Sequence, residues 1–474
     1  MKNSFSAHRF LSRHWLHLIL IAIVLTRFPF LWNGYGSDPD AWRVAHVGQT
    51  LWTTGNYQIS RPPGYPLHEI VSAPLVAWGG SFLSNFATIV ATLFLITISS
   101  QWARTFARHP RLLTFLLAFM PLIWLNSATT MDYIWSLLFI VLAFKDVQEN
   151  NIVRAGVWMG VAAGFRLSNI IATVPLCVMI YLLHRSKKLS MSFLVATLAT
   201  TIVAFTPVLI HLGLLGWLSE IRMQTSTIHL THSDRVLYFG YRTLYSIGPL
   251  AALATLWIVA INRNLVRQLL RERDASTFGY LVAVVVFLAQ FFWLPLDRSY
   301  ALPAVFFLLL FIARISTEKQ FIAFMVCALS FAFINIDITQ HEGARRGKLE
   351  LHAAPGIVVE EMLRREKQSH DRMAIATVDI NGKAMIMTGT SESFWLENPL
   401  VEPDTSEVWR TFNDVIARKR TNHNILFTPA LNKAELDLVR SRGYTVYCIE
   451  KMKGYLESFV GYTMENARVP VIQP

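Results

Sequence analysis

Apolar runs long enough to cross a bilayer recur from residue 15 to about residue 337. A helix rises 1.5 Å per residue, so about 20 apolar residues cross a hydrocarbon layer of about 30 Å. Candidate spans lie near 15–33, 85–103, 112–126, 131–145, 191–216, 241–261, 277–295, 300–314 and 320–337. Only 16% of the residues are charged, where a soluble domain carries about a quarter. The chain must therefore set much of its apolar surface against lipid.

The basic residues test this reading. The net charge is +12, and Lys and Arg gather in short clusters between apolar runs, not in a patch on a soluble domain. That distribution orients a membrane protein and argues against a nucleic-acid partner. Lys2, Arg9 and Arg13 precede the first run, and no small-residue cleavage site follows it. This reads as an uncleaved signal anchor with a cytoplasmic N-terminus. The groups Arg104/Arg108/Arg111, Lys145/Arg154, Arg185/Lys187/Lys188, Arg263/Arg267/Arg271/Arg273 and Arg314/Lys319 then all fall on the cytoplasmic side. Residues 155–184 begin and end at such clusters but are too short for two crossings. They are predicted to form two short helices that meet in the membrane, with Arg166 of "GFRLSN" at the join. The expected architecture is a polytopic α-helical membrane protein with about 11 helices.

Outside the membrane this topology leaves 34–84, 126–131, 217–240, 296–299 and everything after about 338. In the first loop Asp38 suits an N-cap and Pro39 a first helical turn, with Gly55 as a stop. The resulting helix, 39–54, is predicted to lie in the interface, and a second runs from Pro66 to about Phe82. The domains are then 1–338, with its first external loop, and 339–474, a small extracytoplasmic α/β domain. In the latter, 372–390 reads as two strands about Asn381-Gly382. "NILFTPA" and "YTVYCIE" read as further strands, and 355–368, 405–419 and 432–442 have helical periodicity. This tail contains no Gly-rich phosphate loop and no Cys-x-x-Cys, so a structural or acceptor-presenting role is expected for it. Cys177, Cys327 and Cys448 offer no plausible pair in a shared aqueous loop.

Several charged residues have both an ordinary and a functional reading. Asp38 is a helix cap or a base, and Asp40 is a first-turn carboxylate or the base itself. Arg43, three residues on, is a surface ion-pair partner or a phosphate ligand. Arg61 in "SRPPGYP" is an interfacial anchor or a phosphate ligand. Asp132 in "TTMDYIW" is a helix-start charge or part of a site. Arg166 pairs with backbone carbonyls or supports the site, and Arg298 in "LDRSYALP" is a loop cation or a ligand.

A signal anchor, an acidic first external loop, interfacial helices, a "PPGYP" element and many spans occur here in one order. In that order the chain resembles the GT-C superfamily of membrane glycosyltransferases, which use lipid-phosphate sugars. Protein O-mannosyltransferases and the aminoarabinose transferase of lipid A are members. The resemblance covers about residues 15–315. It implies a catalytic Asp at Asp38 or Asp40 and a phosphate contact at Arg61. It also implies supporting roles for Asp132 and Tyr300, with Arg298 as a second phosphate ligand. The doubled Asp around Pro39 departs from the Asp-Glu of many relatives and leaves the choice of base open. The expected partners are a polyprenyl-phosphate sugar donor, an extracytoplasmic glycan, lipid or protein acceptor, and membrane lipids. The expected location is the bacterial inner membrane.

The chemistry suits these residue types. A hydroxyl nucleophile needs a positioned base, and a departing phosphate suits the planar fork of a guanidinium. A single displacement inverts the anomeric centre. No cofactor is required. "HLTHSD" offers His229, His232 and Asp234 as loose candidates for a divalent metal ion. A lipid-linked glycan polymerase or ligase and a transporter are the alternative classes. The transporter reading asks for an internal repeat, which the sequence lacks.

Overall fold

The computed structural model describes residues 2–32, 34–227, 231–340, 349–370, 376–378, 384–388 and 425–427. Sixteen α-helices occur among the described residues. They are α1 (Lys2–Arg27), α2 (Pro39–Thr54), α3 (Pro66–Phe106), α4 (Pro110–Phe119), α5 (Pro121–Asn126), α6 (Tyr133–Gln148), α7 (Ile152–Phe165) and α8 (Thr173–His184). There follow α9 (Lys187–Thr227), α10 (His232–Ile247), α11 (Pro249–Ile261), α12 (Arg263–Arg271), α13 (Ala275–Trp293), α14 (Leu302–Ile315), α15 (Glu318–Ser330) and α16 (Ile357–His370). Among the described residues, five helical segments are long and apolar enough to cross a membrane, and the bent pair α10–α11 taken as one span makes a sixth. Their outward faces carry large apolar side chains, with Val203 72%, Ile210 80% and Leu215 82% exposed. Such faces are stable against lipid and not against water. The chain is a polytopic α-helical membrane protein.

Prolines and glycines set where the spans break. The run 112–126 is two helices, because Met120 leaves the helical region before Pro121. Arg27, fully buried, donates from Nη2 to the freed Ala118 carbonyl (2.5 Å) and from Nε to Ser127 Oγ (3.1 Å). The run 241–261, expected as one span, bends by 86°. Pro249 supplies no donor there, and Gly248 takes φ +95°. The last expected span, 320–337, is also shorter than predicted. Its helix ends at Ser330, and β1 (Ile334–Gln340) pairs antiparallel with β2 (Leu349–Pro355). That strand pair carried no signal in the sequence reading, and β1 runs across the 338/339 boundary. Glycines in "GVWMGVAAG" let α7 press against α9. A Cβ at Gly156 would stand 2.6 Å from the Phe193 carbonyl, and one at Gly160 2.4 Å from Thr200 Cβ.

Other expectations match. Helix α2 runs Pro39–Thr54 and stops at Gly55 with φ +72°. The next helix breaks at Gly80, between the predicted interfacial segment and the span that follows it. Arg166 sits between α7 and a 3-10 turn, Leu167–Ala172. In the tail, β3 (Ala376–Val378) and β4 (Ala384–Thr388) pair antiparallel about Thr377 and Met385, and β5 (Ile425–Phe427) joins β4. The helices predicted at 405–419 and 432–442 and the strand at "YTVYCIE" lie outside the described residues. With the N-terminus inside, a reporter fused after residue 345 is expected to be active only outside the cytoplasm. Activity only inside would invert every external loop.

Candidate functional site

The site is assembled where residues 34–65 meet the starts of α6 and α14. Asp38 has extended backbone (φ −85°, ψ 128°), and its carboxylate accepts the Asp40 N–H at 2.9 Å. The cap reading is therefore correct as far as it goes. Three contacts hold the approach to this turn. Asn85 Nδ2 donates to the Gly34 carbonyl, Thr130 N–H to the Tyr35 carbonyl, and Thr130 Oγ1 lies 3.0 Å from Asn85 Oδ1.

Asp40 is held by two arginines. It accepts from Arg43 (2.9 Å) and from Arg61 Nε (3.1 Å). Arg61 Nη2 continues to Asp132 Oδ1 (2.7 Å), and Arg166 Nη1 meets Asp132 Oδ2 (2.7 Å). Both arginines are 7% exposed and Asp132 0%. Asp132 stands at the N-cap position of α6 but makes no side-chain cap bond. Its role here is counterion to two buried guanidiniums. Aromatic faces complete the enclosure. Arg61 lies 3.9 Å from the Tyr65 ring centroid, and Arg166 lies 4.4 Å and 4.7 Å from those of Tyr133 and Tyr300.

The loop carrying Arg61 is held from below. Glu69, buried in the first turn of α3, accepts from Ser60 N–H (2.7 Å) and Ser60 Oγ (2.6 Å), and also from the Tyr57 hydroxyl. Trp217 Nε1 donates to the Pro63 carbonyl at 2.6 Å. With Arg61 so fixed, Nε and Nη2 are engaged while Nη1 is buried without a partner. A buried charged donor left unpaired is costly, so an anion arriving at this atom would be stabilised.

On the far side, Asp297 accepts from Tyr133 Oη (2.8 Å) and from Ser299 N–H (3.0 Å). The protein strips water from the Asp38 carboxyl, and repulsion from Asp40 and Asp297 adds to the effect. Together they raise Asp38 to about 8.

The structure thus brings Asp38, Asp40, Arg43, Arg61, Asp132, Arg166 and Tyr300 into one cluster. Arg298 is half-buried on the adjoining turn, where its carbonyl accepts from Ser246 Oγ (3.3 Å) and its guanidinium makes no ion pair among the described residues. Of the proposed metal set only His232 has a described side chain. His229 lies outside the described residues, as does the side chain of Asp234, and His232 is exposed near the Phe292 ring. Among the described residues no group of three His, Cys, Asp or Glu could hold a metal ion. The sequence reading passed over Tyr65, Glu69, Tyr133 and Asp297. Asp297 carried a signal, because it directly precedes Arg298 and caps the 3-10 turn.

No protein-family model matches the sequence, and no curated protein matches it. Among solved structures, the chain is similar to ArnT from Cupriavidus metallidurans bound to undecaprenyl phosphate. The identity is 16% and the TM-score 0.49, over 66% of this chain and 62% of that one. The apo state of the same ArnT gives 14% and 0.44, over 68% and 63%. An Archaeoglobus fulgidus oligosaccharyltransferase tethered with an acceptor peptide gives 12% and 0.38, over 68% and 56%. The chain spans less than two thirds of each. At these identities and TM-scores the resemblance assigns no residue a role.

Proposed function

We propose that this protein is an inverting membrane glycosyltransferase of the GT-C type. It transfers a sugar from a polyprenyl-phosphate donor to a glycan, lipid or protein acceptor outside the cytoplasm, at the inner membrane. The observation that carries this reading is the unpartnered Arg61 Nη1, buried in a cluster whose other members include the half-buried Asp38. One feature suits an anionic leaving group and the other a base.

In the proposed reaction Asp38, ionised, takes the proton of the acceptor hydroxyl while that oxygen forms a bond to the anomeric carbon. The bond from that carbon to the phosphate oxygen breaks, and the lipid phosphate leaves with the electron pair. Arg61 Nη1 meets the developing charge, and Arg298 on the adjoining turn adds a second cation. Asp40 and Asp132 aim Arg61, and Arg166 holds the other oxygen of Asp132. No nucleotide loop is needed, because the sugar arrives on a lipid.

The test is sugar release from a polyprenyl-phosphate sugar by the purified protein. Arg61→Lys keeps the charge but cannot span Asp40, Asp132 and a phosphate at once. It is expected to lower donor use by about 10–100-fold, the worth of one charge-assisted hydrogen bond. Wild-type donor use in Arg61→Lys and in Arg298→Ala would reject the phosphate assignment.

A further inference from the structure

The turn that carries Asp38 is gripped from a second side by the segment that follows the last span. Ser37 Oγ donates to Glu361 Oε2 at 2.7 Å, across 324 residues of sequence. Glu361 belongs to the first turns of α16 and is 5% exposed.

The start of α16 is built into the membrane domain and does not hang from it. Gly356 N–H donates to the Phe333 carbonyl (2.9 Å), and Ile357 N–H to the Phe331 carbonyl (3.2 Å). Ile357 and Val358 are buried with Phe30, Trp124, Leu125, Ala128, Tyr245 and Phe331. Phe30 lies on the chain just ahead of the Asp38 turn, and Ala128 just ahead of Asp132. One apolar cluster thus fixes where Glu361 stands relative to both acidic residues.

Residues 34–37 are accordingly held between two anchors. Asn85 and Thr130 hold Gly34 and Tyr35 from the membrane side, and Glu361 holds Ser37 from α16. Asp38 follows at the next position. A carboxylate is an expensive residue to bury for packing alone, since an apolar or amide side chain fills space without the desolvation cost. Its hydrogen bond lands beside the residue proposed as base, and that is where orientation matters most to rate. Misplacing a reacting group by about 1 Å costs about 100-fold.

We infer that Glu361 is a positioning residue for Asp38, so that the start of α16 belongs to the active site. This rests on the reading of Asp38 as the general base.

The experiment compares Glu361→Ala, Glu361→Gln and Ser37→Ala with Asp38→Asn. Each is purified in full length and assayed with a polyprenyl-phosphate sugar for kcat, donor KM and Tm. Glu361→Ala and Ser37→Ala are expected to lose about 10-fold in kcat, a fraction of the cost of full misplacement, with donor KM and Tm near wild type. Glu361→Gln keeps an oxygen that accepts from Ser37 and is expected to restore most of kcat. The double variant Ser37→Ala/Glu361→Ala is expected to be no worse than Glu361→Ala alone, because Ser37→Ala removes a hydrogen bond that Glu361→Ala has already removed. Wild-type kcat in Ser37→Ala overturns the inference, and that variant stands in if Glu361→Ala does not fold. So does a loss confined to donor KM. Should Asp38→Asn keep full turnover, the base assignment fails instead, and the two failures are thereby told apart.

Discussion

Asp38→Asn is expected to lower turnover by about 10²–10⁴-fold, the usual worth of a general base, while leaving the protein folded and more stable above neutral pH. Asn accepts the Asp40 N–H as Asp38 does, so the cap of α2 is kept. What it loses is the capacity to take a proton. The stability gain follows from the sign of the shift. Asp38 is held up to about 8 by burial and by Asp40 and Asp297, whereas an unfolded Asp titrates near 4. A carboxyl with a raised folded pKa stabilises the protein below its unfolded value. That contribution is lost as pH rises through the folded value. Asn carries no such term, so the Tm of Asp38→Asn minus that of wild type should grow from pH 5 to pH 8.5. For wild type, kcat/KM should rise with pH and level off above about 8, because only the ionised form accepts the acceptor's proton. A flat profile in wild type, or near-normal turnover in Asp38→Asn, would remove Asp38 from the base role.

Asp132→Ala is expected to cost about 3–5 kcal/mol of stability, the usual cost of removing one partner from a buried ion pair. It would leave Arg61 and Arg166, each 7% exposed, without the carboxylate that now lies between them. Loss of activity should accompany the loss of fold, in contrast to Asp38→Asn. Removing a cation as well should recover part of the stability. In the pair Asp132→Asn/Arg166→Gln, the combined loss should be smaller than the sum of the single losses. Thermal unfolding in detergent measures this, and a wild-type Tm for Asp132→Ala would show that the network carries no stability.

These two aspartates mark how far the sequence could be read. Asp38, Pro39 and Gly55 specify helix α2 at both ends, because capping, the fixed φ of proline and the positive φ of glycine act within a few residues. Arg166 between two short helices was legible for a similar reason: a charge inside an apolar run must find a break and a partner. The bend at Gly248-Pro249 was equally local and was passed over in favour of hydropathy, which averages across such breaks. The β1–β2 pair was hidden because an apolar run that leaves a span and enters a strand keeps one unbroken hydropathy signal.

The capped helix α2, the break at Arg166 and the presence of two acids around Pro39 were determined by the sequence alone, since lipid and local backbone geometry act on each segment separately. Only the tertiary structure decided what those charges do. Asp132 finds Arg61 71 residues away and Arg166 34 residues away, and Ser37 finds Glu361 324 residues away. Such pairings depend on how helices pack. A buried charge takes whichever partner the packing delivers within reach, because leaving it unpaired in a low-dielectric interior costs more than any local preference can supply.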